Sequence, residues 1–260
     1  MPVFFIESRD VVQNRIRLTG DLAHHLRDVL RFKPGEQLDL VDENRTRYRV
    51  ALDSLSENAL TASILHTDAS FPPSSLPIVL AQALLKGAKM DLVIQKATEL
   101  GVRALVPVVT ERTIVRPRPE RMARQRERWQ EIAREAAQQC GRRDIPVVRP
   151  ISLLTDLCAA APGNGLKLVP WEQEQENSLW KALNLYKSAG GFKNRPDAAQ
   201  EENSIDIFIG PEGGFSSMEI DSLKSAGWRP VSLGPRIFRA ETAAIAVLAV
   251  LQYHYDLGEP

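Results

Sequence analysis

Two kinds of hydrophobic pattern divide this chain. In residues 1–72 the apolar positions come in short runs: Val3–Ile6, Arg15–Leu18, Gln37–Val41, Tyr48–Leu52 and Leu60–Leu65. Turn residues separate them, such as Lys33-Pro34-Gly35-Glu36 and Asp42-Glu43-Asn44, so the runs read as strands. One helical stretch interrupts them, Asp21 to Arg31, with Leu22, Leu26, Val29 and Leu30 spaced to share a face. Several short strands at this spacing predict a small β-barrel or sandwich. Phe71-Pro72-Pro73-Ser74-Ser75-Leu76-Pro77 reads as a linker, with residues 73–77 as the boundary between two domains.

From residue 78 to 260 strand and helix patterns alternate. Strands are predicted at Ile78–Leu85, Ala104–Val109, Pro146–Arg149, Leu166–Val169, Ile205–Ile209 and Val231–Leu233. Helices are predicted at Met90–Leu100, Glu120–Gln139, from Ser152, at Ser217–Ala226 and at Ala240–Tyr255. This βα alternation predicts an α/β fold with a mainly parallel sheet covered on both faces. The last helix is apolar on more than one face, from Ala243 to Leu251, which predicts burial from several sides, in a core or against a partner subunit. Residues 171–204 break the alternation. They are rich in Glu, Gln, Asn, Lys and Ser, and read as a short helix near Asn177–Leu185 and then a mobile loop, either a lid or a tolerated surface insertion.

Two segments near the C-terminus carry the chemistry. Ile207-Phe208-Ile209-Gly210-Pro211-Glu212-Gly213-Gly214-Phe215-Ser216 and Val231-Ser232-Leu233-Gly234-Pro235-Arg236-Ile237-Phe238-Arg239-Ala240-Glu241-Thr242 each run from a strand through a Gly-Pro turn into a helix. Both turns are expected side by side at the C-terminal edge of the sheet, where open α/β sheets bind ligands. Neither is a dinucleotide fingerprint or a phosphate-binding P-loop. Arg239 and Glu241 are close enough to face one cavity, or to form a structural pair at the start of the last helix.

Charge narrows the partners. The chain has 33 Lys and Arg against 33 Asp and Glu, so no global basic field exists and any nucleic-acid contact must be local. Arginines crowd residues 112–143. The mid-helix ones are expected to be solvated or paired with Glu127, Glu131 and Glu135. Arg112, Arg116, Arg142 and Arg143 flank that helix and are better phosphate candidates, as are Arg9, Arg17, Arg27 and Arg31 in the first part. His24 and His25 adjoin on the N-terminal helix, one expected outward and one toward the core. Cys140 and Cys158 sit in no metal-ligand spacing and are read as buried free thiols. No metal is expected. The start of the chain lacks the pattern of a signal peptide, no apolar run reaches a membrane span, and a cytoplasmic location is expected.

At this point the residues resemble a known family. Gly210-Pro211-Glu212-Gly213-Gly214-Phe215 with Glu219-Ile220, and Leu233-Gly234-Pro235-Arg236-Ile237-Phe238-Arg239-Ala240-Glu241-Thr242-Ala243, are similar to the RsmE family of 16S ribosomal RNA methyltransferases. The resemblance extends through His24 to Arg31, Ala83 to Gly87, Gln95 to Val102, Pro107, Thr110-Glu111-Arg112, Arg128-Trp129, Glu135 to Gln139 and Arg143. Phe238 and Ala240 depart from the expected Leu and Thr, and the 171–204 segment is long.

The resemblance implies an S-adenosylmethionine-dependent enzyme that methylates N3 of one uridine in the small ribosomal subunit. It implies a SPOUT catalytic domain with a trefoil knot, preceded by a PUA-like β-barrel that helps hold RNA, and a homodimer. Three loops are then expected to hold the cofactor: Leu168, Val169 and Pro170; Ile209, Gly210, Pro211, Glu212, Gly213 and Gly214; and Leu233, Gly234, Arg236, Ile237, Phe238, Arg239, Ala240, Thr242 and Ala243. Arg239 is the candidate for stabilising charge, and Glu241 or Glu212 for proton transfer. His24 joins the arginines as an RNA candidate, and Lys86, Lys89, Lys96 and Arg112 are expected at the rim that receives the uridine, with Gln95 and Glu99 beside them. Other readings are a SPOUT methyltransferase of another ribosomal or transfer RNA nucleotide, and an assembly factor that binds RNA without turnover. A dinucleotide dehydrogenase fits poorly, because the glycine fingerprint is absent.

Overall fold

A computed structural model describes residues 2–56, 59–70, 77–159, 165–190 and 204–255. Residues 71–76 of the expected linker and residues 191–203 of the polar interruption lie outside these. The chain divides into two compact units, Met1–Pro72 with Glu135–Ile145, and Pro73–Arg134 with Pro146–Pro260.

The first unit holds a six-stranded sheet of β1 (Val3–Phe5), β2 (Val11–Val12), β3 (Arg15–Thr19), β4 (Gln37–Val41), β5 (Arg47–Leu55) and β6 (Ala59–Asp68) in the order β1-β4-β5-β6-β3-β2. All pairs are antiparallel except β1 with β4. Alternation along β3 buries Ile16 and Leu18 and leaves Arg15 and Arg17 exposed. These residues meet Leu26, Leu38, Leu40, Val50, Leu52 and Leu60 in one core. Register shifts between Arg49 and Val50, and between Leu52 and Ser54, bend the long β5–β6 pair over that core.

The helix of this unit departs from expectation. α1 (Gly20–His24) passes into a π-helical turn, His25–Val29. The wider turn breaks the 3.6-residue spacing. Leu26 is fully buried, whereas Val29 and Leu30 are 59% and 45% exposed, so the four apolar residues do not share one buried face. His24 and His25 are both exposed; neither enters the core.

The second unit is a wholly parallel sheet among the described strands: β7 (Ile78–Ala83), β8 (Ala104–Val109), β9 (Val147–Val148), β10 (Ser152–Leu153), β11 (Leu166–Pro170), β12 (Ile205–Ile209) and β13 (Arg229–Val231). The order is β10-β8-β7-β12-β11-β13, with β9 also pairing β8. The helices are α2 (Lys89–Glu99), α3 (Pro119–Cys140), α4 (Leu154–Ala159), α5 (Leu179–Ser188), α6 (Ser217–Ser225) and α7 (Ala240–Tyr255). Central strands are apolar on both faces, as two-sided cover requires. One face packs Ala81, Val106, Val108, Val169 and Phe208 against Phe215, Ile220, Leu223 and Trp228. The other buries Leu80, Leu105, Leu168 and Ile207, and α7 packs against α2 and β12.

Two further expectations are corrected, and the cover of the last helix within this chain is partial. The last strand ends at Val231 rather than Leu233, because Pro230 is tolerated on an edge strand and Gly227 releases the chain from α6 early. α7 buries Ala244, Val247, Leu248 and Leu251 but leaves Ala249, Val250 and Tyr253 exposed, so within this chain it is covered on one side only. Cys140 is exposed and Cys158 only half-buried, since α3 ends in an open turn and α4 lies at the sheet margin. Among the mid-helix arginines Arg134 lies 3.7 Å from Glu131, as expected, whereas Arg128 bonds Asp91 (Nη1–Oδ1 2.8 Å) and Arg126 donates to the Val148 carbonyl at 2.8 Å.

Candidate functional site

Parallel strands present all their C-terminal ends on one edge, and there the second unit opens a cavity of about 1130 Å³. Its wall comes from the stretches after β11, β12 and β13, with Lys89 from the start of α2. The two Gly-Pro turns are not neighbours. β11 lies between β12 and β13, so the Trp171 stretch separates them, and the wall has three loops.

Each loop is pinned by its own contacts. The stretch after β11 folds back so that Trp171 N donates to Val231 O at 3.0 Å, Ser232 N to Asn177 O at 2.7 Å and Leu179 N to Ser232 O at 3.0 Å. The stretch after β12 turns at Gly214, where φ is +67° and an added Cβ would sit 2.8 Å from Glu172 Oε1, so only glycine suits the position. It then enters α6 through a reciprocal cap: Ser216 Oγ accepts from Glu219 N, and Glu219 Oε2 from Ser216 N. The loop after β13 turns at Gly234, where φ is +108° and the space beside Cα is open.

Most of the expected ligand-holding residues meet here. Pro170, Ile209, Gly210, Pro211, Glu212, Gly213, Gly214, Leu233, Gly234, Arg236, Ile237, Phe238, Arg239, Ala240 and Ala243 all line the cavity. Leu168 and Val169 are fully buried within the sheet and support the wall from behind. Thr242 is exposed off the wall. Glu241 does not pair with Arg239; it turns to Lys89, whose Nζ lies 3.7 Å from Glu241 Oε2 and 3.2 Å from Glu212 Oε1. Burial pushes the Glu212 carboxyl up, but its own N–H, that of Lys86 and the Lys89 ammonium together hold it below its ordinary value.

The sequence reading missed Trp171, Glu172, Glu174, Gln175, Glu176 and Ser178, all on the wall. The signal available was a tryptophan directly after a strand in a polar stretch. Trp171 Nε1 on the wall, and Gln82 Oε1 and Glu241 Oε2 beside it, are buried without a hydrogen-bond partner. Buried donors without acceptors are rare and costly.

The basic candidates separate by what they already hold. In the first unit Arg143 pairs with Asp68 and donates to its carbonyl, Arg142 pairs with Asp144 at 3.0 Å, and Arg27 bonds Asp28 and the Ser56 carbonyl. His24 lies 3.3 Å from Asp28 and Arg9 2.6 Å from Glu7, while Arg17 and Arg31 are exposed. In the second unit Lys96 pairs with Glu99 at 2.9 Å, Lys86 is exposed, Arg116 donates to Glu111 O and Arg112 to Gly213 O, both at 3.0 Å. Arg112 touches a cavity loop while its side chain stays exposed.

Comparison with known proteins follows this geometry. Residues 72–252 match an RNA methyltransferase domain family, and residues 18–65 an RNA methyltransferase PUA domain family. The chain is 32% identical over 245 residues to the ribosomal RNA small subunit methyltransferase E of Synechocystis, covering 94% of this chain and 75% of that protein. The crystal structure of a ribosomal RNA small subunit methyltransferase E from Neisseria gonorrhoeae bound to S-adenosylmethionine superposes with a TM-score of 0.80, at 32% identity and 98% coverage of both chains. A methyltransferase from Legionella pneumophila, solved with its bound cofactor S-adenosylmethionine, gives a TM-score of 0.80 at 31% identity and 97% coverage of both.

Proposed function

Because the chain belongs to the ribosomal RNA small subunit methyltransferase E family, we propose that it transfers the methyl group of S-adenosylmethionine to N3 of one uridine in 16S ribosomal RNA. The observation that carries this reading is the cavity wall. Three loops offer backbone, apolar and aromatic surface and no cradle for a triphosphate. Trp171 adds aromatic surface, and Gly234 brings bare backbone to open space. Glu172, Glu174, Glu176 and Glu212 line the cavity with Lys89, Arg236 and Arg239, a small excess of negative charge that suits a cationic sulfonium.

S-adenosylmethionine supplies an electrophilic methyl group when bound. The loops at Pro170–Trp171, Ile209–Gly214 and Leu233–Ala243 hold it. The residues must also remove the uridine N3 proton. Arg239, exposed on the wall, stabilises the uridine anion. Glu212 rather than Glu241 is our choice for the departing proton, because Glu212 lines the cavity and Glu241 does not. Its depressed pKa makes it a weak base, so Arg239 carries the larger share. Arg112, Lys86 and the exposed arginines of the first unit contact phosphate. The exposed stripe of α7, Ala249, Val250 and Tyr253, meets a second copy in a homodimer, and the catalytic unit carries a trefoil knot. The enzyme works in the cytoplasm on the small subunit. No helix among the described residues is long and apolar enough to cross a membrane.

The test is methyl transfer from labelled cofactor to small subunits lacking the modification, followed by nucleoside analysis. A single 3-methyluridine supports the reading; label in another nucleoside or in transfer RNA refutes the assigned position. For Arg239→Ala, turnover should fall roughly a hundredfold while cofactor affinity changes little. Full turnover in that variant removes Arg239 from the chemistry.

A further inference from the structure

The loop after β8 and the start of α6 are joined by a ring of hydrogen bonds that the reaction above does not use. Glu219, 7% exposed, lies in the first turn of α6. Its Oε2 serves the cap, accepting from Ser216 N at 2.9 Å. Its Oε1 accepts from the N–H of Glu111, in a different loop, at 2.7 Å. Ser216 Oγ closes the ring by donating to Glu111 Oε2 at 2.7 Å while accepting from Glu219 N at 3.3 Å. One residue on, Arg112 Nη1 donates to Gly213 O at 3.0 Å. The receiving turn is itself stiff: Thr110 and Thr113 are buried, their hydroxyls 2.8 Å apart, and Thr110 N donates to Thr113 Oγ1 at 2.9 Å.

Capping a nine-residue helix requires one acceptor oxygen. Burying a carboxylate is costly unless all its contacts are made, and here the second oxygen is spent on a distant backbone. The joint it makes has the cavity on one side and Arg112 on the other. Gly213 packs closely on it, since an added Cβ there would lie 3.2 Å from Arg112 Cβ.

We propose that Glu219 is a positioning residue whose two backbone contacts lock the Gly213–Gly214 wall of the cofactor cavity to the turn carrying Arg112, so that cofactor binding and the placement of Arg112 for RNA are coupled. The RNA half of this inference rests on the function proposed above. Coupling of this kind travels through contiguous rigid contacts, and the ring supplies them.

The test is a double-mutant cycle on S-adenosylmethionine affinity, measured by calorimetry on the whole protein without RNA. Glu219→Gln keeps size but presents one acceptor oxygen, so one of the two N–H groups is left facing an amide. It should weaken cofactor binding by roughly tenfold. Arg112→Ala should weaken it by about threefold in the wild-type background and not further beside Glu219→Gln. Glu111→Ala, an exposed side chain that gives up only the Ser216 bond, should act in the same direction but less, and serves if Glu219→Gln does not fold. In methylation assays Glu219→Gln should raise KM for the subunit with kcat within about twofold. Wild-type affinity in Glu219→Gln, or additive effects in the cycle, overturns the clamp. If subunits are not methylated but the cycle remains non-additive, the proposed reaction fails and the clamp stands.

Discussion

Gly210 offers a direct test of how the cavity wall is built. Its backbone lies outside the left-handed region, so alanine there meets no conformational penalty and any cost is steric. The added Cβ would sit 2.9, 3.1 and 3.3 Å from three ring carbons of Phe215. That ring cannot swing aside cheaply. It is 2% exposed and packs edge-on against Phe208, with centroids 4.9 Å apart, and Phe208 in turn packs against Trp228 at 5.8 Å. Gly210→Ala must therefore push the ring, the loop or both. Overpacking of this kind costs about 1–3 kcal/mol, which for a unit of this size lowers Tm by roughly 2–12 °C. Because the displaced backbone is the wall itself, cofactor affinity should fall with it. The assay is urea denaturation together with calorimetric titration of S-adenosylmethionine. A second substitution identifies the cause. Phe215→Leu removes ring atoms and is destabilising alone, but beside Gly210→Ala it relieves the clash, so the two costs should fall short of their sum by about 1 kcal/mol or more. Wild-type stability and affinity in Gly210→Ala, or strict additivity with Phe215→Leu, would refute the reasoning.

Lys89→Met should destabilise the second unit by about 1–3 kcal/mol, because Glu241 Oε2 has no hydrogen bond and only the 3.7 Å contact with Lys89; adding Glu241→Gln should recover part of the loss in urea melts. Asp206→Asn should stabilise the protein at neutral pH. Burial raises the Asp206 carboxyl above its ordinary 3.8, so its contribution is fully present below pH 3.8 and is lost as pH rises through the folded value; the asparagine, still able to accept from Ser204 Oγ, should flatten that decline in melts across pH 3–7. Arg143→Met should change the acid limb instead. The Arg143 hydrogen bond, aided by Ser70, holds Asp68 at about 2; the folded value is depressed, so the contribution is present above pH 3.8 and is lost as pH falls toward 2, and the variant should lack that loss in melts across pH 2–5.

How much of this was legible depended on what each residue answers to. Ile205–Ile209 and Ala104–Val109 were read with their true limits because central parallel strands are apolar on both faces, and the need for cover fixes their ends. The Ser216–Glu219 cap is a local feature, since it closes within four residues. The second oxygen of Glu219 was not legible, because its partner lies 108 residues away. The π turn at His25–Val29 was equally hidden: Leu22, Leu26, Val29 and Leu30 fit a regular helix face, and only the packing of Leu26 and the positive φ of Arg31 reveal the extra residue per turn.

The polar stretch after Pro170 shows the same division at the site itself. Its composition argued for solvent, and Glu172, Gln175, Glu176 and Asn177 are exposed. But a ligand cavity also needs a few placed polar groups, and a hydrophobicity pattern scores the segment that carries them as loop. Glu172 stands where the missing Cβ of Gly214 leaves room, and Ser178 bridges to Ser232, so this stretch is held in place by the very turns that were legible. The two Gly-Pro turns were therefore half of a statement. Gly214 marks a close approach, and the residue that makes it, Glu172, is supplied by the segment that follows the strand between them. β11 had to lie between β12 and β13 for Glu172 to reach Gly214 and for Asn177 to reach Ser232. The site is thus a property of strand order, which places a polar segment against two glycine turns that alone would have closed on nothing.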